Sequence, residues 1–439
     1  MNFDFGPGVM DIGTFEFNYQ RALMVAGTGA ADLGECSLVG HRIKKGDTES
    51  WAREWSALGE RVRREAVAAR EAGQRATART AFFRASTYFR TALFSVLYGD
   101  PRYDVLLTAA RECSREGGEL SDPRVEVLDV PFEGARLPGY FVSAGKPRSP
   151  TLLVLNGGDT SAEEMVQWLG FACVERGWNF ATFEGPGQWS ALQMNPGLHM
   201  RPDFEVPTGA VLDLLLRRED VDADRIALYG PSLGSLLATR VAAREPRIRA
   251  CCADGLVVDV YGAWMAVLPG LLQGAPEGVF NALFSIYERF SPRARDTANH
   301  LRAVIGEAPT AHALLEAWKP YDVRGLAPQI HCPMLVLYGE AEAAQTNSET
   351  MLSALRFIEE LERATVRIFD YDDGWAATHC HVGGLAALHA LLFDWLDTAM
   401  HHPERLVGRD IQPKIFDVLA KYVRSPEHKR ELERLRTAE

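Results

Sequence analysis

Residues 226–243 read IALYGPSLGSLLATRVAA, and this stretch decides the fold. The apolar run Ile226–Tyr229 has the length and branching of a strand buried on both faces. Gly230-Pro231-Ser232-Leu233-Gly234 follows at once, and from Leu236 to Ala243 the pattern is that of an apolar helix. A serine on a tight strand-to-helix turn needs small residues on either side, because larger ones would collide with the neighbouring chain. Such a turn lifts the Ser232 hydroxyl above the sheet and sets it at the positive end of a helix. It also places the Leu233 backbone N–H to stabilise an oxyanion. GxSxG alone is a common pentapeptide; its setting between strand and helix makes Ser232 the candidate nucleophile.

Outward from the turn, further short apolar runs recur at Leu152–Leu155, Phe180–Phe183, Ala250–Ala253, Met334–Leu337 and Val366–Phe369, several separated by helical patterns. This alternation predicts an α/β fold with a mostly parallel sheet flanked by helices. Val125–Phe132 alternates like a strand, and with Tyr140–Val142 it predicts an antiparallel hairpin turned at Gly134 and Pro138-Gly139. Residues 47–118 are helical in pattern. Asp47 and Thr48 are N-cap candidates, Trp51, Trp55, Leu58, Val62 and Ala66 recur at helical spacing, and Gly73 ends the helix. The next helix carries Phe82, Phe83, Tyr88, Phe89, Leu93 and Phe94, too apolar for a free surface, with Asp100-Pro101 marking its end. The expected organisation is an N-terminal helical cap over residues 1–122 and a catalytic domain over 123–400. A helical insertion spans about 255–328 in that domain, and a charged helical tail covers 401–439.

A serine hydroxyl is a poor nucleophile at neutral pH and needs a base. In enzymes with this turn an acid and then a histidine follow the serine along the chain. After Met334–Leu337 comes Gly339-Glu340-Ala341-Glu342, and after Val366–Phe369 comes the segment from Asp370 to His379. His379 is the expected base, with His381 as the competing choice. Glu342 is the expected acid, against Asp370, Asp372, Asp373 and Asp259. Most other histidines (His41, His199, His300, His312, His401, His402 and His428) lack any motif and are assigned to the surface or to structure. A second oxyanion donor is expected just after Leu152–Leu155, where Asn156-Gly157-Gly158-Asp159-Thr160 lets the backbone approach a reacting carbonyl. The N–H of Gly158 or Asp159 is the donor.

The 439 residues are 47% hydrophobic and carry a formal net charge of −12. An acidic chain lacks the basic field that nucleic acid or an anionic membrane surface requires. The seven cysteines show no CxxC or Cys/His zinc spacing, which suggests reduced thiols and a cytoplasmic setting. Residues 1–13 contain no secretory signal pattern and no apolar run reaches transmembrane length. Neither HExxH nor a strand-borne GxGxxG occurs, so no metal and no organic cofactor is expected. A small molecule is the expected partner, and a homodimer the ordinary default.

These residues resemble one branch of the α/β-hydrolases, which contains 2,6-dihydroxypseudooxynicotine hydrolase, the fungal polyketide-shortening pigment hydrolases and the fermentation-respiration-switch-like proteins. Four pieces carry the likeness: Gly157-Gly158-Asp159-Thr160-Ser161 with Glu163 and Glu164; Phe183-Glu184-Gly185-Pro186-Gly187-Gln188; Gly230–Gly234; and His379-Cys380 followed by Gly383 and a helix ending Phe393-Asp394-Trp395-Leu396. Phe83–Arg90 is similar as well, so the likeness spans roughly residues 50–400. The resemblance implies an N-terminal helical domain set over the sheet with a cleft between them. It also implies cleavage of a carbon–carbon bond beside a ketone, through an acyl-enzyme on Ser232. The chain departs from the branch at Glu342, where those enzymes carry Asp, and at Trp189, where they carry Gly.

Three functions therefore compete. One is a serine hydrolase cutting beside a ketone in a β-diketone or polyketide-like molecule. A second is an esterase, thioesterase, amidase, acyltransferase or cyclase built on the same groups. The third is a binding or regulatory protein on a hydrolase scaffold. Tyr88, Trp189, Tyr261 and Trp264 are the expected aromatic lining of the substrate pocket. Arg84 and Arg90 are candidates to meet an acidic group on the substrate.

Overall fold

A computed structural model describes residues 13–306 and 308–437. The N-terminal residues read above for a secretory signal lie outside these, apart from Gly13. Among the described residues five α-helices come first: α1 (Gly13–Met24), α2 (Leu33–Arg42), α3 (Thr48–Glu71), α4 (Arg75–Leu93) and α5 (Pro101–Glu119). Asp47 caps α3 by accepting from the Ser50 N–H at 2.9 Å. Asp100-Pro101 starts a helix and does not end one. Asp100 caps α5 through the Arg102 N–H, and Pro101 takes the first-turn position where no N–H is needed. Packing of α3 on α4 is close because Gly59 has no side chain; a Cβ there would lie 2.9 Å from the Phe89 ring.

Nine strands follow: β1 (Val125–Phe132), β2 (Ala135–Val142), β3 (Ser149–Leu155), β4 (Asn179–Phe183), β5 (Val221–Pro231), β6 (Ile248–Asp254), β7 (Met334–Gly339), β8 (Ala364–Phe369) and β9 (Arg409–Ile411). They form one sheet in the order β1-β2-β4-β3-β5-β6-β7-β8-β9. The hairpin β1–β2 pairs Val125 with Val142 and turns at Glu133-Gly134, both at positive φ (46° and 85°). Pro138-Gly139 lies inside β2, not in a turn. From β4 onward every pairing is parallel.

Side chains alternate across the sheet and feed two cores. Leu153, Leu155, Ile226 and Leu228 join one core with the helices Glu205–Leu215 and Leu233–Arg244. Leu152, Val154, Ala227 and Tyr229 join the other, which contains Trp51, Trp55, Phe83 and Tyr88 of the N-terminal helices and Phe393 and Leu396 of the helix Leu385–His401. The N-terminal helices therefore share a core with one face of the sheet. The described residues of 255–328 hold four α-helices, among them Pro292–Ile305. The C-terminal tail forms two helices, and Ile415, Phe416, Val418 and Leu419 bury the inner face of the first of them.

Candidate active site

The chain leaves β3 for β4 on one side and returns to β5 on the other. The C-terminal ends of β3 and β5 are neighbours, with Val154 opposite Tyr229, and the loops that follow them depart in opposite directions. Ser232 sits on the turn that ends β5 with φ 56° and ψ −124°, a left-handed strained conformation worth about 1–3 kcal/mol. Its N–H donates to the Asp254 carbonyl at 2.8 Å. The flanking glycines are obligatory: a Cβ on Gly230 would lie 2.0 Å from the Gly234 carbonyl oxygen, and one on Gly234 would lie 2.2 Å from that of Leu155.

Glu342 lies in the first turn of the helix Glu340–Gln345, directly after β7. One carboxylate oxygen accepts from the Gly339 N–H at 2.8 Å, and the other meets His379 Nδ1 at 2.6 Å. The Glu342 side chain is 8% exposed and that of His379 37%, so the acid is interior and the imidazole reaches solvent. With Nδ1 donating to the carboxylate, Nε2 is the nitrogen left for proton exchange. Burial works against the imidazolium, but the Glu342 carboxylate outweighs it and holds His379 above the usual imidazole range. Gly255 joins this pair to the serine. A Cβ there would lie 3.3 Å from His379 Cε1, and its carbonyl accepts from Ser235, whose hydroxyl also donates to the Ser232 carbonyl.

His381, the competing base, is fully buried. Its Nε2 pairs with Asp254 at 3.1 Å and its Nδ1 faces the Ala376 carbonyl at 2.7 Å. Burial disfavours its charge, yet Asp254 lifts it to about 9. The competing acids are elsewhere. Asp370 and Asp373 pair with Lys414, Asp372 is exposed beside them, and Asp259 caps the helix Val260–Val267 and faces Arg324. Glu342, His379 and Cys380 are the only group of possible metal ligands among the described residues. The 2.6 Å contact between Glu342 and His379 is a hydrogen bond with no room for an ion between them, and burial pushes the Cys380 thiol well up, away from the thiolate a metal prefers.

The loop after β3 lies against the serine turn, for a Cβ on Gly157 would lie 2.8 Å from the Pro231 carbonyl oxygen and 3.4 Å from Ser232 Cβ. The Gly157 N–H donates to Thr160 Oγ1 at 2.5 Å. Gln188 donates from Nε2 to the carbonyls of Asn156 (2.8 Å) and Gly157 (3.4 Å), and accepts from the Gly185 N–H. The carbonyl of Asp159 accepts from Arg21 of α1 at 3.1 Å and from Arg90 of α4. The Asp159 carboxylate adds an ion pair to Arg21 at 3.3 Å. Partial desolvation works to raise that half-exposed carboxyl, but Arg21 and Arg90 draw it below its ordinary range. The carbonyl of Gly158 faces His300 Nε2 at 3.1 Å.

The expected aromatic lining divides. Tyr88 is fully buried, donates to Glu35 at 2.7 Å and accepts from the Asp32 N–H, so it belongs to the N-terminal core and not to a pocket. Trp189 is buried close to the loop, stacked on Tyr103 with ring centroids 5.9 Å apart and lying 4.0 Å under Arg90. Tyr261 and Trp264 are half-buried on the helix Val260–Val267, with Tyr261 facing Lys319 at 4.9 Å. Arg84 pairs with Glu35, and Arg90 is buried with an ion pair to Glu164 at 3.3 Å while its Nη1 has no hydrogen-bond partner among the described residues. Sequence reasoning missed three participants. Phe17 of α1 stands 6.3 Å from the His379 ring, while Arg21 and His300 hold the loop from far along the chain. No local pattern marks any of them.

No protein-family profile matches the chain. It is 31% identical over 417 residues to hydrolase acrC of Aspergillus aculeatus, covering 87% of this chain and 96% of that protein. It is 31% identical over 360 residues to the alpha/beta hydrolase xenA of Xenoacremonium sinensis, covering 76% and 82%. It is 28% identical over 406 residues to 20-hydroxy-prefusarin hydrolase FUS2 of Gibberella moniliformis, covering 88% and 96%. Among solved structures, 2,6-dihydroxy-pseudo-oxynicotine hydrolase matches with a TM-score of 0.69 over 90% of this chain and 99% of its own, at 22% identity, which shows a shared fold.

Proposed function

The chain belongs to the α/β-hydrolase family and is a hydrolase, and from that premise we propose that it cleaves a carbon–carbon bond beside a ketone through an acyl-enzyme on Ser232. The observation that carries this reading is the pairing of His379 with Glu342 beside a serine held at positive φ on a strand-to-helix turn. His379 Nε2 takes the Ser232 proton as Oγ attacks the carbonyl carbon. The N–H groups of Leu233 and of Gly158 or Asp159 stabilise the oxyanion. Collapse of the tetrahedral intermediate breaks the C–C bond. The bonding pair leaves as an enolate, which takes its proton on carbon from the imidazolium. Water, deprotonated by His379, then releases the acid and frees Ser232. A β-diketone or polyketide-like substrate suits this sequence because its second carbonyl stabilises the leaving enolate.

Intact-mass analysis after exposure to a fluorophosphonate, on wild type and Ser232→Ala, tests the nucleophile. A single adduct on wild type and none on the variant is expected, with turnover reduced by about 10⁴-fold or more. An adduct on both proteins, or on neither, overturns the assignment. Products from aryl β-diketones and matched esters then test the bond: acid plus ketone is expected, and acid plus alcohol alone overturns C–C cleavage in favour of esterase chemistry.

A further inference from the structure

A trans peptide points its N–H away from its C=O, so whatever fixes a carbonyl also aims the amide that shares its plane. In the loop after β3, Gln188 holds the Gly157 carbonyl and so aims the Gly158 N–H. The Gly158 carbonyl is held from another direction and from far away. His300, on the helix Pro292–Ile305, reaches it across 142 positions of sequence. That carbonyl shares its plane with the Asp159 N–H.

We propose that His300 is a positioning residue of the oxyanion hole: by donating from Nε2 to the Gly158 carbonyl, it aims the Asp159 N–H at the oxygen that gains charge when Ser232 attacks. The proposal rests on the Ser232 reading given above.

The imidazole is built to hold one orientation. Its ring lies 5.5 Å from Trp189, tilted by 36°. Trp189 is itself fixed between Tyr103 and Arg90. The helix bearing His300 is fastened at several points: the Val304 carbonyl accepts from the Met200 N–H at 2.8 Å, the Ala303 carbonyl faces His199 at 3.1 Å, and Asn299 accepts from the Tyr98 N–H at 2.8 Å. Burial holds His300 below the usual imidazole range, so the ring is neutral with its one proton on the nitrogen facing Gly158. Trp189 thus supports the histidine from one side. The helix Pro292–Ile305 thereby contributes to the oxyanion site.

The full-length protein is tested with a fluorophosphonate, whose P=O oxygen occupies the oxyanion position during phosphonylation. Rate constant (kinact) and binding constant (KI) are measured separately for wild type, His300→Phe and His300→Gln, with melting temperature alongside. His300→Phe keeps the ring against Trp189 and removes the donor. It should lower kinact by about 10- to 100-fold with KI nearly unchanged. His300→Gln retains a donor and should recover most of the loss. His300→Leu against His300→Gln reads the same difference without an aromatic ring, should the Phe variant be destabilised. Unchanged kinact in the donor-less variants, or an equal loss in His300→Gln, overturns the proposal while the Ser232 reading stands. Absence of a Ser232 adduct on wild type overturns that reading, and the proposal falls with it.

Discussion

The serine turn and the Asn156–Thr160 loop touch each other, yet they are shaped by opposite means. Ser232 is set by its own neighbours: Gly230 and Gly234 permit a turn that any side chain would block, and Asp254 on the adjacent strand holds its N–H. The second loop receives Arg21 from 138 positions away, Arg90 from 69 and His300 from 142. A nucleophile on a steric turn needs backbone packed closely around its glycines, from the Leu155 and Asp254 carbonyls as well as from its own turn. An amide that must face a transient oxyanion needs its peptide plane held from several sides, and only distant elements surround it.

The largest expected effect breaks the local half. Gly234→Ala would place a Cβ 2.2 Å from the Leu155 carbonyl oxygen, forcing the turn open and displacing Ser232. A fall of about 100-fold or more in the phosphonylation rate constant is expected, together with a lower melting temperature. A variant that labels as fast as wild type would show that the turn is less constrained than its glycines indicate.

Glu342 belongs to both halves, and changing it sharpens the contrast. One oxygen is held locally by Gly339 and the other reaches His379 across 37 positions. Glu342→Asp shortens the side chain so that it cannot span both contacts. The rate should fall by about 10-fold. Because Glu342 raises the His379 pKa and catalysis needs the neutral imidazole, weakening the contact should move the acid limb of the pH–rate profile to lower pH. An acid limb that stays in place would separate Glu342 from the titration.

The smallest effect on rate is expected at His381, whose partner Asp254 is also distant but which faces the interior. Its folded value of about 9 exceeds the ordinary 6.5. The pair therefore contributes fully below about pH 6.5, and its contribution, on the order of 3 kcal/mol, is lost as pH rises through 9. His381→Gln should lower the melting temperature by several degrees at pH 6, converge on wild type toward pH 9, and change kcat by less than about 3-fold. Equal destabilisation at both pH values would refute an ion-pair origin.

The same contrast explains what was legible in the sequence. The strands, the hairpin and the Asp47 cap were readable because strand runs and caps are written within a few residues. The serine turn was readable too, and order along the chain brought out Glu342 and His379, which the structure brings together. The short β9 was missed because Arg409–Ile411 is exposed and half-polar and joins the sheet only by pairing with β8. Asp100-Pro101 was assigned to the wrong helix end, since Asp-Pro both follows and precedes helices. Tyr88 looked available because aromatic residues line pockets, but its hydroxyl is engaged by Glu35 and the Asp32 N–H, a pairing set by how α2 meets α4. His300 and Arg21 left no local mark, because their roles exist only once remote segments meet.

The contact of α1 with the histidine loop also bears on how the protein is made. The Gly383 N–H meets the Met24 sulfur at 3.2 Å across 359 positions, and Phe17 stands beside His379. A ribosome adding 5–20 residues per second takes roughly 20 to 70 s to cover that distance. Throughout that interval α1 is without its counterpart, and the serine turn emerges well before the imidazole. Every residue through Gly383 must be synthesised before these groups can meet, so a product terminated before it lacks the contact.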